Sequence, residues 1–515
     1  MTETELKFRM DPPGLQRAQT RLAVMIGAGS LPAPRLLRSV YYDTPDHALR
    51  GARIALRLRQ SGDDWEQTVK AASTNHGGLQ RGAEDNSPAP DAQIDLTRIG
   101  DTELRQRIGD LADPAQLSPV FETAMHRVAV PVTMADGAVV EVALDRGDIR
   151  AGTRAMPFHE LELELKSGGT GALFDAAAQL LPDGGLRLSR MSKAERGFRL
   201  ASDGTLVPPP APRTACKVAM GKDTPVNIAL RNILRECFDQ IASNAETVRD
   251  IDDPEGPHQL RIGLRRLRSA LAVFRPALDR DAIAPLHAEA RWLAQEVGAL
   301  RDLDVAAIDL LTPEARACPN EPGFPALLRA LQIRTDARRA ALRTVLTGPR
   351  CQRFLIDLAR AIETEDWTRG ADDDRLHVLD QPVGLLAREA LASRWKKCTT
   401  RAKGIETLSL DARHALRKEL KKLRYAVEFF DPLLPRKRKA HFLKRLKTLQ
   451  NIFGDLNDLH MAETLFLAPG APGAGDPNAQ RALGRLLGSR TARADAAWHD
   501  ARARWQDLSA TKPCW

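Results

Sequence analysis

His159-Glu160-Leu161-Glu162-Leu163-Glu164-Leu165-Lys166 alternates charged side chain and leucine with one face for each. In a strand, residues two apart share a face, so Glu160, Glu162, Glu164 and Lys166 point one way and the leucines the other. The same period runs through Glu3-Thr4-Glu5-Leu6-Lys7-Phe8 and Leu56-Arg57-Leu58-Arg59, and Glu141 and Asp145 oppose Val140, Val142 and Leu144. A solvated sheet face mixes Thr, Ser, Lys and Gln, whereas here carboxylates and arginines are sorted onto different strands. Crowded carboxylates repel unless a cation sits among them, and paired arginines repel unless an anion does. Oxygen donors at this spacing suit a hard divalent ion, Mg²⁺ or Mn²⁺. A basic set facing them would hold phosphates that the ion bridges. Residues 1–200 are therefore expected to form an antiparallel sheet, with helices near 13–27 and 171–181.

Outward from these strands the chain changes character near residue 201. Residues 1–200 carry 25 Lys+Arg against 27 Asp+Glu; of the 76 basic and 67 acidic residues in the 515-residue chain, positions 201–515 therefore hold 51 and 40. The net charge of +9 lies entirely in that second part, which predicts an anionic partner for it. Residues 201–216, with Pro208-Pro209-Pro210 and Pro212, read as a semi-rigid linker. Beyond them the period is helical, with Pro and Gly punctuation near 254–257, 312–325, 348–349, 370–382, 431–435 and 469–477. The six cysteines are scattered without a Cys-x-x-Cys pair, which argues against a zinc site or disulfide framework. No apolar run of about 18 residues is present, and the acidic N-terminus is no secretory signal. A cytoplasmic protein with no membrane partner is the expectation.

The helical part repeats itself. Shifted by 156 positions, His258–Pro276 lies on His414–Pro432 with nine of nineteen residues identical, and Arg265-Arg266 becomes Lys421-Lys422. At 100° per residue, Arg261, Arg265 and Arg268 fall within about 80° of His258. Leu260, Leu264, Leu267, Leu271 and Phe274 take the opposite side. The second copy sorts His414, Arg417, Lys421 and Arg424 against Leu416, Leu420, Leu423, Val427 and Phe430. The apolar side reads as core. The basic side contains no Asp or Glu and is kept through the duplication, which points to a long polyanion. Aromatic residues do not interleave with it, so base stacking has little support and nucleic acid is disfavoured.

Motifs in the first 200 residues occur in a family's order: Glu3-x-Glu5-x-Lys7, Tyr42-Asp43-Thr44, Leu56-Arg57-Leu58-Arg59, Thr68-Val69-Lys70, Arg127, Glu141 with Asp145 and Gly147, Glu162-x-Glu164-x-Lys166, and Lys193 with Arg196-Gly197. This set resembles the CYTH, or triphosphate tunnel metalloenzyme, superfamily. The resemblance implies an eight-stranded antiparallel closed barrel with flanking helices over residues 1–200. It implies that Lys7, Arg57, Arg59, Lys70, Arg127, Lys193 and Arg196 contact a triphosphate. Glu5, Glu162 and Glu164 would hold a main metal, Glu3 and Asp145 would complete a second site that positions water, and Glu3, Glu5 and Lys70 form the catalytic set.

The duplicated helix, with Leu300-Arg301-Asp302-Leu303-Asp304 downstream of its first copy, resembles the CHAD domain. That resemblance covers 217–510 and implies two four-helix bundles related by a pseudo-twofold axis, about 217–365 and 375–510. It implies polyphosphate binding by His258, Arg261, Arg265, Arg268, Arg291, His414, Arg417, Lys421, Arg424 and Lys447. The pair resembles bacterial CYTH-CHAD inorganic triphosphatases. The function expected is Mg²⁺- or Mn²⁺-dependent hydrolysis of inorganic triphosphate or short polyphosphate, with the helical part binding inorganic polyphosphate and possible attachment to polyphosphate granules. Two alternatives stay open: a non-enzymatic granule-associated binding protein, and thiamine triphosphatase or adenylate cyclase chemistry in the same tunnel.

Overall fold

One strand is paired along both of its edges, and that closes the N-terminal sheet. In the computed structural model, which describes residues 2–27, 29–185 and 187–515, strand β1 (Thr2–Arg9) pairs antiparallel with two others. It meets β8 (Arg154–Ser167) on one edge and β5 (Leu79–Pro88) on the other. Between them run β2 (Arg35–Asp43), β3 (Ile54–Ser61), β4 (Asp64–His76), β6 (Ser118–Thr133) and β7 (Val139–Ala151). The order β5-β4-β3-β2-β6-β7-β8-β1, with β1 returning to β5, is an eight-stranded antiparallel barrel without a free edge. A two-residue β9 (Arg187–Leu188) adds to β1.

The alternation read from the sequence decides which face turns inward. Leu6, Leu56, Val140, Val142, Leu161 and Leu163 are fully buried on the outside of the wall. Helices Pro12–Met25 and Gly171–Leu180 cover β8, and Thr102–Leu111 shares an apolar cluster with β3 and β4. At about 1.5–3 kcal/mol per buried leucine or valine, these outer contacts hold the wall shut. The charged partners of the same strands are thereby forced into the lumen. Toward one end of the barrel the inner face turns apolar: Leu37, Tyr41, Phe121, Met125, Ile149 and Phe158 cluster with Phe198 of the helix Lys193–Asp203. That helix opens with a capping box between Ser192 and Glu195.

By contacts the chain forms two compact units, residues 1–210 with 347–364, and 211–346 with 365–515. Helix Pro349–Glu363, which the sequence places among the repeats, belongs to the barrel unit. It is tied there by Arg360–Asp175 at 2.8 Å, Arg81–Glu363 at 3.2 Å and a Gly185 N–H donated to Thr347 O at 3.0 Å. The second unit is helical. The first copy supplies Val226–Asp250, Glu255–Val273, Arg280–Val305 and Gly323–Thr347, and the second supplies Val383–Arg401, Leu410–Phe429, Arg436–Phe466 and Pro477–Ser509. Reciprocal hydrogen bonds mark the pseudo-symmetry: Val226 N donates to Gln381 O at 2.9 Å and Val383 N to Thr224 O at 2.8 Å. The copies share a core in which Leu303, Leu310, Phe324 and Leu327 meet Ala462, Phe466, Ala479 and Leu483. The punctuation expected over 370–382 contains a short helix, Asp373–Asp380, begun by Asp372 accepting from the Arg375 N–H.

Gly197 shows how tightly the plugging helix sits. A Cβ there would lie 2.0 Å from the Phe121 ring, which itself stacks on Tyr41 with centroids 4.4 Å apart. Gly197→Ala is expected to cost about 1–3 kcal/mol through overpacking, read as a lower thermal midpoint of the barrel unit. An unchanged midpoint would show that the helix is not seated on this ring.

Candidate active site

The barrel encloses a cavity of about 600 Å³. Its inner face is divided by strand. Lys70 on β4, Arg57 and Arg59 on β3 and Arg127 on β6 supply one wall; Glu141 on β7, Glu162 and Glu164 on β8 and Glu3 and Glu5 on β1 supply another. Because β4-β3-β2-β6 and β7-β8-β1 are successive arcs of one ring, the basic and acidic walls face each other across the lumen. Lys7 and Lys193 line the cavity as well.

Without a ligand the two walls neutralise one another. Lys70 Nζ lies 2.6 Å from Glu3 and 3.4 Å from Glu84. Lys7 Nζ lies 2.7 Å from Glu5 and 3.1 Å from Glu162, and Lys166 Nζ 2.7 Å from Glu164. Burial opposes the charge on Glu162, but Lys193, Lys7 and Arg127 outweigh it and hold its carboxyl well below the usual range. Arg59 is the exception on the basic wall. Among the described residues it makes no carboxylate pair, only a 3.3 Å hydrogen bond to Ser39 Oγ. Burial, with Arg57 and Arg127 adding, pushes its guanidinium down to about 10. Glu164 is the counterpart on the acidic wall. Burial raises its carboxyl, Lys166 only partly offsets this, and the Glu3 and Glu141 charges add to it. A cation deficient in anions thus lies in the same lumen as a carboxylate crowded by carboxylates.

This donor set fits a hard divalent ion, since it offers only carboxylate oxygens from adjoining strands. Glu5 and Glu164 are cross-strand partners, as are Lys7 and Glu162. A second carboxylate group, Asp145, Glu160 and Glu162, brings oxygens within 4.8 Å of one another and is buried. Lys193 Nζ already reaches all three at 2.8, 2.6 and 2.6 Å, while Arg127 grips Asp145 through two nitrogens at 2.7 and 2.6 Å and also bonds Glu162. Two sequence-selected residues therefore stand behind the lining: Asp145 is fully buried under Arg127 and Lys193, and Arg196, 2% exposed, donates to Glu160 at 2.8 Å. There the ammonium occupies the centre that an ion would need, so the lumen carboxylates are the better fit.

The sequence pattern missed Glu84 and Tyr41. Glu84 pairs with Lys70 across β4 and β5 and lies 3.8 Å from Arg57, but β5 has no clean alternation to announce it. Tyr41 accepts from Arg57 at 3.3 Å and lines the cavity. Asp43 of the Tyr-Asp-Thr motif is outside the cavity: it accepts from the N–H groups of Thr44, Leu49 and Arg50 at 2.8, 2.9 and 3.0 Å. It shapes the turn that carries Arg50 and Arg53 to the cavity wall.

In the helical unit the two basic faces converge. Helices Glu255–Val273 and Leu410–Phe429 pack together, with Arg266 3.1 Å from Glu428 and Phe274 and Phe430 centroids 5.8 Å apart. Arg261, Arg265, Arg268 and Arg291 line a small cavity of about 180 Å³. Arg417 feels Arg265 and Arg261 of the other copy in addition to its burial, and its guanidinium falls to about 10. Lys421 is pushed down to about 6 by burial and then by Arg265, Arg417, Arg424 and Arg261. Counter-charge is sparse: Arg261 meets Asp302 at 2.7 Å, Arg424 meets Glu428 at 3.3 Å, and Arg417 donates to Asn457. Burial and neighbouring cations hold His258 and His414 below the ordinary imidazole value. Lys447 is exposed on helix Arg436–Phe466, outside the residues that line this cavity.

Comparison with known proteins agrees with this division. Residues 1–198 match the profile of the CYTH domain and residues 232–467 that of the CHAD domain. The chain is 34% identical over 167 residues to an inorganic triphosphatase of Haemophilus influenzae, an alignment that covers 32% of this chain and 46% of that protein. The chain thus spans about half the length of that relative. An uncharacterised protein of Mycobacterium tuberculosis is 25% identical over 492 residues, 88% of this chain and 86% of its own. Among solved structures, the CHAD domain of the plant Ricinus communis superposes with a TM-score of 0.51 at 29% identity, covering 59% of this chain and 98% of that one. No helix among the described residues is long and apolar enough to cross a membrane.

The basic cluster carries a stability cost that can be measured. Lys421 is pushed down to about 6 in the fold from the ordinary 10.5, so between those values the unfolded chain binds the extra proton and stability rises with pH.

 That cost is largest at and below pH 6, where the folded chain must hold the proton too, and it shrinks as pH climbs toward 10.5. The ligand-free helical unit is therefore expected to melt at rising temperature as pH climbs above about 6, and Lys421→Met is expected to flatten that climb and raise the midpoint at neutral pH by a few degrees. A variant with the wild-type pH profile would place Lys421 outside the cluster's field.

Proposed function

From the premise that this chain carries a CYTH domain followed by a CHAD domain, we propose that its barrel hydrolyses inorganic triphosphate with a divalent ion, Mg²⁺ or Mn²⁺, and that its helical unit binds inorganic polyphosphate. The observation that carries the first part is the opposed pair of walls, with Arg59 lacking a carboxylate partner among the described residues and Glu164 crowded by its own kind. A metal-bound polyanion satisfies both walls at once. Its phosphate oxygens take the basic side chains, and the ion takes the carboxylates those side chains leave.

Arg57, Arg59, Arg127 and Lys7 bind and orient the phosphate oxygens, and Lys70, with Glu84 at 3.4 Å behind it, completes that shell, while Lys193 holds the Asp145, Glu160 and Glu162 carboxylates. Glu5, Glu162 and Glu164 would hold the ion, which supplies neutralisation of phosphate charge and polarisation of water when bound. Glu3, paired with Lys70 at 2.6 Å, would take the proton of a water that attacks the terminal phosphorus. The phosphoanhydride bond breaks, and the departing diphosphate keeps its charge on the basic wall. Most of the acceleration then comes from positioning and charge neutralisation. For the helical unit, the support is convergence: two copies of one basic face make a single surface longer than a single phosphate needs.

Glu5→Gln removes one carboxylate charge with little change of shape. It is expected to lower phosphate release from tripolyphosphate by about 100-fold or more while polyphosphate binding by the helical unit is retained; undiminished turnover would overturn the metal assignment. Assayed side by side, tripolyphosphate is expected to be turned over faster than thiamine triphosphate or ATP, and a preference for either organic substrate would replace this reading. Arg261→Ala with Arg417→Ala is expected to weaken polyphosphate binding and to reduce the slope of log affinity against log salt, by analogy with other polyanions. An unchanged slope, or equal affinity for duplex DNA, would contradict the partner.

A further inference from the structure

The barrel cavity has a basic group that the triphosphate reading leaves unused. Arg50 and Arg53 line it, and both are exposed at the surface. Among the described residues neither makes an ion pair. Their position is fixed by backbone. Asp43, fully buried, accepts from three turn amides including that of Arg50. Arg53 itself is held at φ 59°, with its N–H donated to Arg50 O at 2.9 Å. A left-handed arginine is unfavourable and persists only where the surroundings impose it. The Arg50 guanidinium lies 5.5 Å from the centre of the Phe198 ring, so turn and plugging helix share one mouth of the lumen.

We propose that Arg50 and Arg53 form a second anion station at this mouth, which engages the phosphates of linear inorganic polyphosphates longer than three units while the chain end lies in the charged lumen. This rests on the triphosphate reading of the lumen and adds the substrate class to it. A triphosphate held between the two walls leaves the mouth unfilled. A fourth or fifth phosphate continues past Phe198, where two guanidiniums without carboxylate partners among the described residues meet its oxygens as charge-assisted hydrogen bonds. A thiamine group in that place, itself a cation, would be repelled by the two guanidiniums, and a nucleoside would lack the further phosphate oxygens they bind, so the station favours the inorganic chain.

The test compares wild type with Arg50→Gln/Arg53→Gln and with Arg50→Lys/Arg53→Lys, all checked for an unchanged thermal midpoint. KM and kcat are measured on tripolyphosphate, tetrapolyphosphate and a medium-length polyphosphate, and binding of tri- and tetrapolyphosphate is measured by calorimetry in EDTA. The glutamine pair is expected to raise KM and Kd for the two longer chains by about tenfold relative to tripolyphosphate, and the lysine pair to restore most of that preference. A glutamine pair whose tri-to-tetra ratio equals that of wild type overturns the station, as does an equal loss on both chains. A wild type that binds these chains in the barrel but releases phosphate from none of them would defeat the hydrolytic reading and leave the station standing on its Kd ratio. If the glutamine pair lowers the midpoint, Arg50→Gln alone gives the same comparison with a turn that keeps Arg53.

Discussion

Closing a strand of like charges into a barrel wall is the constraint on which the N-terminal unit depends. Each charged strand would prefer water on its polar face, yet its leucine and valine face must be covered. Covering that face from outside turns the charges inward, where the dielectric is low and repulsion is strong. The fold tolerates this only because the sequence sorts the signs. Arginines on β3 and β6 and the lysine on β4 face glutamates on β1, β7 and β8, and Lys7 and Lys193 bridge to the acids. The result is a site whose opposed charges offset one another and are polarised across its width, which is what a metal-bound phosphate chain matches and a simple anion does not.

The helical unit solves the opposite problem. Its charge has one sign, and the duplication doubles it by bringing the two basic helices together around Phe274 and Phe430. Few carboxylates intervene, so the cost appears as a lysine driven toward neutrality and an arginine weakened by its counterparts in the other copy. Stability given up at a surface in this way is common where a ligand later supplies the missing charge.

Much of this was legible in the sequence, for a physical reason. Period-2 alternation with charge on one face determines both the strand and its direction, so the spacing alone puts Glu3, Glu5, Arg57, Arg59, Glu162 and Glu164 on inward faces. The repeat at 156 residues likewise exposed the two basic faces. What the pattern could not show was depth. Asp145 shares its face with Glu141, yet Arg127 and Lys193 enclose it, and Arg196 turns to Glu160 instead of the lumen. Nor could periodicity find β5, whose Glu84 acts through cross-strand pairing, or assign Pro349–Glu363 to the barrel unit, since that depends on side chains more than 150 positions away such as Asp175. The arginines of the 44–53 turn were invisible for the same reason: Asp43 positions them through backbone amides, which leave no trace in side-chain spacing.

The central claim is the polarity of the lumen, and one structure tests it directly: the Glu5-intact protein crystallised with tripolyphosphate and Mn²⁺ under conditions that slow turnover, with the metal located by anomalous scattering. The account predicts an anomalous peak against Glu5, Glu162 and Glu164 and phosphate density along Arg57, Arg59 and Arg127, with Asp145 and Glu160 still held by Lys193. A metal at that buried group, or phosphate density against the acidic wall, would contradict it.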